Sequence, residues 1–158
     1  VIATKSTSST WKKHCQCLAA STTLPKSGTV LLTVKDSDKV KAVEVAQMLH
    51  GMGYSIVATQ GTATAIEAAG VPVKRVNKVK DGRPHIVDMI KNGEIELVFT
   101  TVDETRTAIA DSRSIRTTAQ ANRVTYYTTI SGAKAAVAGI KAIDQLEVYD
   151  LQGLHASL

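Results

Sequence analysis

The chain has 158 residues, 44% of them hydrophobic and 21% charged, which suits one soluble globular domain with tails and is too short for two full domains. Aromatic residues are only 4%, which argues against a base-stacking platform for single-stranded nucleic acid. The net charge of +5 is concentrated at the start: Lys5, Lys12, Lys13 and Lys26 precede residue 29 and no acid does, so fifteen basic residues face fourteen acidic ones in the remainder. A near-neutral body lacks the clustered cations that nucleic-acid binding requires. No run reaches the ~18 apolar residues of a membrane span, and no secretory signal stands at the start. The chain begins with Val1, which reads as a piece of something longer.

Residues 1–28 read as a leader or linker and residues 29–158 as the domain. The leader is rich in Ser and Thr and ends in Pro25-Lys26-Ser27-Gly28, a turn signal. Its two cysteines, Cys15 and Cys17, are too close for a disulfide framework and point to a reducing, cytoplasmic setting. His14 beside them offers half a metal site at most, and no second cluster follows.

The regular pattern begins with Thr29 to Val34, a short β-branched and apolar run that reads as a buried strand. Asp36, Ser37 and Asp38 offer N-caps for a helix whose apolar face is Val40, Val43, Val45, Met48, Leu49 and Met52, stopped by Gly53. Tyr54 to Ala58 predicts a strand, Thr62 to Ala69 a helix, and Gly70 its stop. Val71 to Val76 predicts a third strand, and Asn77 to Pro84 a loop. A short helix over His85 to Lys91 and a fourth strand over Ile95 to Thr100 follow. Asp103 to Arg123 carries a loop and a helix, Val124 to Thr128 a fifth strand, and Ser131 to Ile143 an Ala-rich helix. Leu146 to Tyr149 is a candidate edge strand.

Five apolar strands alternating with helices imply βαβ units, hence an α/β three-layer sandwich around a mainly parallel five-stranded sheet. Ligands of such sheets sit beyond the carboxyl ends of the strands. Those ends are rich in hydroxyls and lysines. Thr33 ends the first strand, with Lys35 and Lys39 just beyond. Ala58-Thr59-Gln60-Gly61-Thr62 ends the second, with Gly61 expected to turn the chain and Thr62 to open a helix. Lys78 follows the third, Thr100-Thr101 the fourth, and Thr128-Thr129 the fifth. Free N–H groups, hydroxyls and two lysines make an anion site; the alternative is that Thr59 and Thr62 merely cap the helix. Neither the P-loop nor the dinucleotide fingerprint is present. His50 reads as a dipole partner at a helix end, His85 as a cap or loop residue, and Arg113 and Arg116 as anion binders or, by preference, partners for Asp111. No acid and base pair is set up by the spacing.

The stretches Ala58-Thr-Gln-Gly-Thr-Ala63, Val76-Asn-Lys-Val79 with Gly82-Arg-Pro-His-Ile86, Ile90-Lys-Asn-Gly-Glu94, Asp111-Ser-Arg-Ser-Ile-Arg116 and Tyr126 to Thr129 share one further feature. In order, from Gly28 to about Leu154, they resemble the methylglyoxal-synthase-like domain of the bacterial carbamoyl-phosphate synthase large chain. The resemblance implies a methylglyoxal-synthase-like fold and an allosteric domain that is not itself an enzyme. Its ligands would be nucleotide monophosphates, UMP as inhibitor and IMP as activator, with ornithine acting at the border of a neighbouring domain. Its partners would be the rest of the large chain and the glutaminase small chain. That parent enzyme is a ligase of arginine and pyrimidine biosynthesis, using ATP with Mg or Mn. The resemblance implies no cofactor in this fragment, no nucleic acid and no membrane.

Matched motif by motif, Lys39, Thr59, Thr62 and Lys78 would meet the phosphate, and Thr33 stands where the family usually has a small hydroxyl residue. Thr100 and Thr101 would line ribose and base, with Arg106 flanking them, and Tyr126 and Thr128 stand at the ornithine positions. The family often has Asn where Thr100 stands, so its amide donor and acceptor are missing here. A second reading is a phosphate-eliminating lyase of the methylglyoxal synthase type. That chemistry needs a catalytic Asp near Arg83, and Asp81 is two residues away. A third reading is an oligomer-forming module with the last helix as interface.

Overall fold

The structure is a computed structural model and describes residues 24–142. The expected edge strand at 146–149, His14, Cys15, Cys17 and most of the expected leader lie outside the described residues. Among the described residues five strands form: β1 (Thr29–Thr33), β2 (Ser55–Thr59), β3 (Lys74–Val76), β4 (Leu97–Thr100) and β5 (Thr125–Tyr127). Between and after them run α1 (Lys39–Gly51), α2 (Gln60–Ala68), α3 (Ile86–Lys91), α4 (Arg106–Ala121) and α5 (Ile130–Lys141). The sheet order is β3-β2-β1-β4-β5, and every pairing is parallel.

This order follows from burial. Leu31, Leu32, Ile56, Val57, Leu97, Val98 and Phe99 are almost wholly buried, so β1, β2 and β4 need cover on both faces and are the interior strands, with β1 at the centre. Each such side chain contributes about 1.5–3 kcal/mol on removal from water. One core joins Val30, Leu32, Leu97 and Phe99 to α1, α2 and α5. The other joins Leu31, Val57 and Val98 to α3 and, through Ile115, to α4. The chain therefore changes face between α2 and α3, and β4 returns beside β1. The crevice between the carboxyl ends of β1 and β4 is the topological switch point, where open α/β sheets hold ligands.

The elements match the expected order, with local differences. β3 is three residues, not six, because Val71 and Val73 serve the core before the strand begins. The buried face of α1 is Ala42, Val45, Ala46 and Leu49, while Val40 is 76% exposed. Two alanines let α1 lie close to the sheet, which a row of larger residues would prevent. Asp36, Ser37 and Asp38 form a 3-10 turn, and no side chain caps α1. Gly53 and Gly70 do stop α1 and α2, with φ of 85° and 78°, a conformation that costs residues with a Cβ. The packed body reaches back into the expected leader: Leu24 is 5% exposed, and Tyr54 donates its hydroxyl to the Pro25 carbonyl at 2.6 Å.

Candidate functional site

A cavity opens at the carboxyl ends of β1, β2 and β4. Thr33, Thr59, Thr100 and Thr101 line it from the strand ends, Lys35 from the loop after β1, and Lys78 from the loop after β3. Its volume is about 80 Å³, several times what one water molecule needs. Sheet register brings these residues together: Thr33 stands opposite Thr100 in the β1–β4 pairing. Parallel strands starting level must end level, so their terminal side chains share one rim.

The threonines form a loose chain of hydroxyls. Thr33 Oγ1 and Thr59 Oγ1 are 3.4 Å apart. Thr59 donates to Thr62 Oγ1, also at 3.4 Å. Thr62 Oγ1 accepts from the Val34 amide at 3.3 Å and donates to the Val34 carbonyl at 3.5 Å. Good O–H···O bonds are nearer 2.7–2.8 Å, so these hydroxyls would gain by turning to an oxygen of a ligand. Across the cavity the Lys35 amide donates to Thr101 Oγ1 at 3.0 Å, and the Thr101 amide donates to the Thr33 carbonyl at 3.0 Å. These bonds tie the loop after β1 to the end of β4.

Thr59 is the residue before α2, and its side chain makes no capping bond. Thr62 spends its hydroxyl on Val34 rather than on its own helix. The capping alternative therefore fails for both, and the first turn of α2 keeps N–H donors for an anion. Gly61 does not turn the chain, because it lies inside α2. Its role is room: the Lys39 ammonium stands 3.4 Å from where a Cβ on Gly61 would be. Lys39 Nζ pairs with Asp36 Oδ1 at 2.7 Å. That ammonium holds the Asp36 carboxyl below its usual range, and Lys78 adds to the pull.

The expected site residues divide into three groups. Thr33, Thr59, Lys78, Thr100 and Thr101 line the cavity. Thr62 and Lys39 are not among the lining residues: Thr62 stands behind Thr59, and the Lys39 ammonium lies over Gly61 at the start of α2. Arg106, Tyr126 and Thr128 are not among the lining residues. Arg106 opens α4 and is exposed. Tyr126 is half-buried against the α3–α4 core, and Thr128 is exposed past the end of β5.

Three polar lining residues of α4 and the loop before it were absent from the expected site. Asp103, Asp111 and Ser112 bring two carboxylates and a hydroxyl to the wall formed by α4 and the loop before it. Asp111 is not paired with Arg113 or Arg116 among the described residues; Arg116 donates instead to the Ser112 carbonyl at 3.4 Å. Ser112 is 3% exposed, and its hydroxyl has no hydrogen-bond partner. The sequence signal was available in the spacing, since Ala108, Asp111, Ser112 and Ile115 share one face of a helix. His85 caps α3: its Nδ1 accepts from the Asp88 amide at 3.3 Å, and Asp88 accepts from the His85 amide at 3.2 Å. No cluster of three metal-ligating side chains exists among the described residues, and none of their helices is long and apolar enough to cross a membrane.

Comparison with known proteins supplies names for this arrangement. A sequence model of the MGS-like domain family matches residues 41–128. A carbamoyl phosphate synthase large chain from Ralstonia nicotianae is 77% identical over 141 residues, 89% of this chain and 13% of its own length. Those of Pseudomonas aeruginosa and Neisseria meningitidis serogroup A are 48% and 42% identical over the same coverage. The chain thus spans 13% of the length of these relatives. Among solved structures, methylglyoxal synthase from Elizabethkingia anophelis superposes with a TM-score of 0.58 at 24% identity, over 72% of this chain and 79% of that one. The crystal structure of ForH gives 0.54 at 18% identity, over 75% and 79%. At such identities the likeness is one of fold.

Proposed function

The chain belongs to the MGS-like domain family, and on that premise we propose that it is the regulatory domain of a carbamoyl phosphate synthase large chain. Its cavity takes a nucleoside monophosphate, with UMP and IMP competing for one site. The observation that carries this reading is the cavity itself, where threonines from three strand ends meet Lys78, with the Lys39 ammonium over Gly61 at the start of α2. The phosphoryl group sits against Thr33, Thr59, Lys39, Lys78 and the first turn of α2. Two cations and loosely bonded hydroxyls suit a dianion.

The opposite wall suits the rest of such a ligand. Thr100, Asp103 and Asp111 offer hydrogen-bond acceptors, which favours a neutral moiety with hydroxyl or N–H donors over a second phosphate. Thr100 and Thr101 line ribose and base; Thr100 has no amide, so base selection rests on hydroxyls and these carboxylates. Tyr126 and Thr128 belong to a separate ornithine-responsive surface facing a neighbouring domain. Regulation follows from differential affinity, since a ligand shifts an equilibrium only as far as it prefers one state. UMP and IMP favour different positions of the loops around Lys78 and Arg106, and coupling of about 1–3 kcal/mol is typical.

A phosphate-eliminating lyase is the second reading, and the carboxylates of Asp103 and Asp111 in the cavity favour it. Against it, the Arg83 guanidinium stands where that chemistry needs a carboxylate, and it faces Asp88 at 3.8 Å. Asp81, the nearby acid, is exposed and does not line the cavity. Calorimetric titration with UMP and IMP tests the first reading. Lys39→Ala and Lys78→Ala are each expected to weaken binding about tenfold or more. Unchanged affinity in both variants removes the phosphate assignment. Release of methylglyoxal from dihydroxyacetone phosphate by the native chain establishes the second reading instead.

A further inference from the structure

Asp36 caps neither the 3-10 turn nor α1. Its carboxylate is 89% exposed, and its ion pair is with Lys39 Nζ at 2.7 Å. That same ammonium rests over Gly61 at the first turn of α2, where the proposed phosphoryl group would bind. We propose that Asp36 is an internal competitor for that group: its carboxylate pairs with the Lys39 ammonium, and an incoming phosphate displaces it. The inference rests on the phosphate reading of the preceding subsection.

Charge and exposure both favour displacement over sharing. A dianion beside Lys39 would stand next to the Asp36 carboxylate, and like charges at such range repel. The side chain that can leave is Asp36, because it is exposed and sits on a short turn rather than on the sheet. Leaving is cheap, since an exposed ion pair contributes little. Lys39 then exchanges one anion for another and is never left unpaired. The exchange also filters ligands. A singly charged carboxylate gains little over Asp36, whereas a doubly charged phosphate pairs with Lys39 and Lys78 together.

The test is calorimetry on the full chain, with inorganic phosphate and UMP as separate probes. Asp36→Asn keeps the size of the side chain and removes its charge; Asp36→Ser removes the carboxylate without adding an amide. Both variants are expected to bind each probe about two- to fivefold more tightly than the native chain. The gain is expected to vanish in a Lys39→Ala background. Equal or weaker binding by both variants, while the native chain binds UMP, overturns the competitor role; weaker binding would mean that Asp36 positions Lys39 for the ligand. If neither the native chain nor the variants bind either probe, the phosphate reading itself fails.

Discussion

The Lys39 ammonium and the Gly61 Cα hydrogen face each other, with 3.4 Å between the nitrogen and the site of a would-be Cβ. A single methyl fits at that distance as an ordinary contact. Gly61→Ala is therefore expected to stabilise the domain by about 0.5–1 kcal/mol, because Gly is a poor helix residue. Its affinity for UMP should hold. Gly61→Val adds branches that push the ammonium off α2, and its affinity should fall several-fold. Urea unfolding and calorimetry on the two variants separate these effects. Equal affinities for Ala and Val variants would mean that Lys39 is not held against α2.

Burial raises the Tyr54 phenol above its usual 10.0, and its hydroxyl donates to the Pro25 carbonyl. A raised acid contributes stability below its unfolded pKa and loses it as pH rises through the folded value. Tyr54→Phe should cost about 1 kcal/mol at neutral pH. The difference from the native chain should shrink above about pH 10. Urea midpoints at several pH values check this, and a constant difference up to high pH would contradict it.

At the acid end the relevant pair is Glu67 and Arg75. Arg75 hydrogen-bonds the Glu67 carboxylate and holds it below 4.5. A depressed carboxylate stabilises above its unfolded pKa, and the effect disappears as pH falls through the folded value. Glu67→Gln should thus be slightly less stable at about pH 6, and the difference should be smaller at about pH 3. The pair is exposed, so the effect is small. Thermal melts at the two pH values give the comparison.

Ser112 carries a buried hydroxyl without a partner. Such a group costs the folded state about 1–3 kcal/mol when it is left unsatisfied. Ser112→Ala is expected to stabilise the ligand-free chain by about 1 kcal/mol and leave the fold intact. Chemical denaturation reads the change directly. Destabilisation would show that the hydroxyl has a partner in solution.

Phe99 sits on the interior strand β4, 2% exposed, with its ring 5.7 Å from that of Tyr127. Phe99→Ala should cost about 3–5 kcal/mol, from lost burial and the cavity left behind. A midpoint shift well below that range would mean that Phe99 is not buried between the sheet and its helices.

The sequence by itself determined the alternation of strands and helices, the α/β class and the hydroxyl-rich strand ends. These are local properties: an apolar run of about six residues, or a 3.6-residue period, is written in neighbouring positions. Thr33, Thr59, Thr100 and Thr101 were legible as candidates because strand ends could be placed from such runs. Only the tertiary structure decided that β4 lies beside β1, which sets Thr33 opposite Thr100 and ties Lys35 to Thr101. It alone turned Asp111 and Ser112 toward the cavity, left Arg106 outside it, and gave Gly61 its purpose as space for Lys39. The reason is that pairing between distant strands, and the face on which each crossover helix packs, depend on how all the apolar surfaces are covered together. No window of sequence contains that competition.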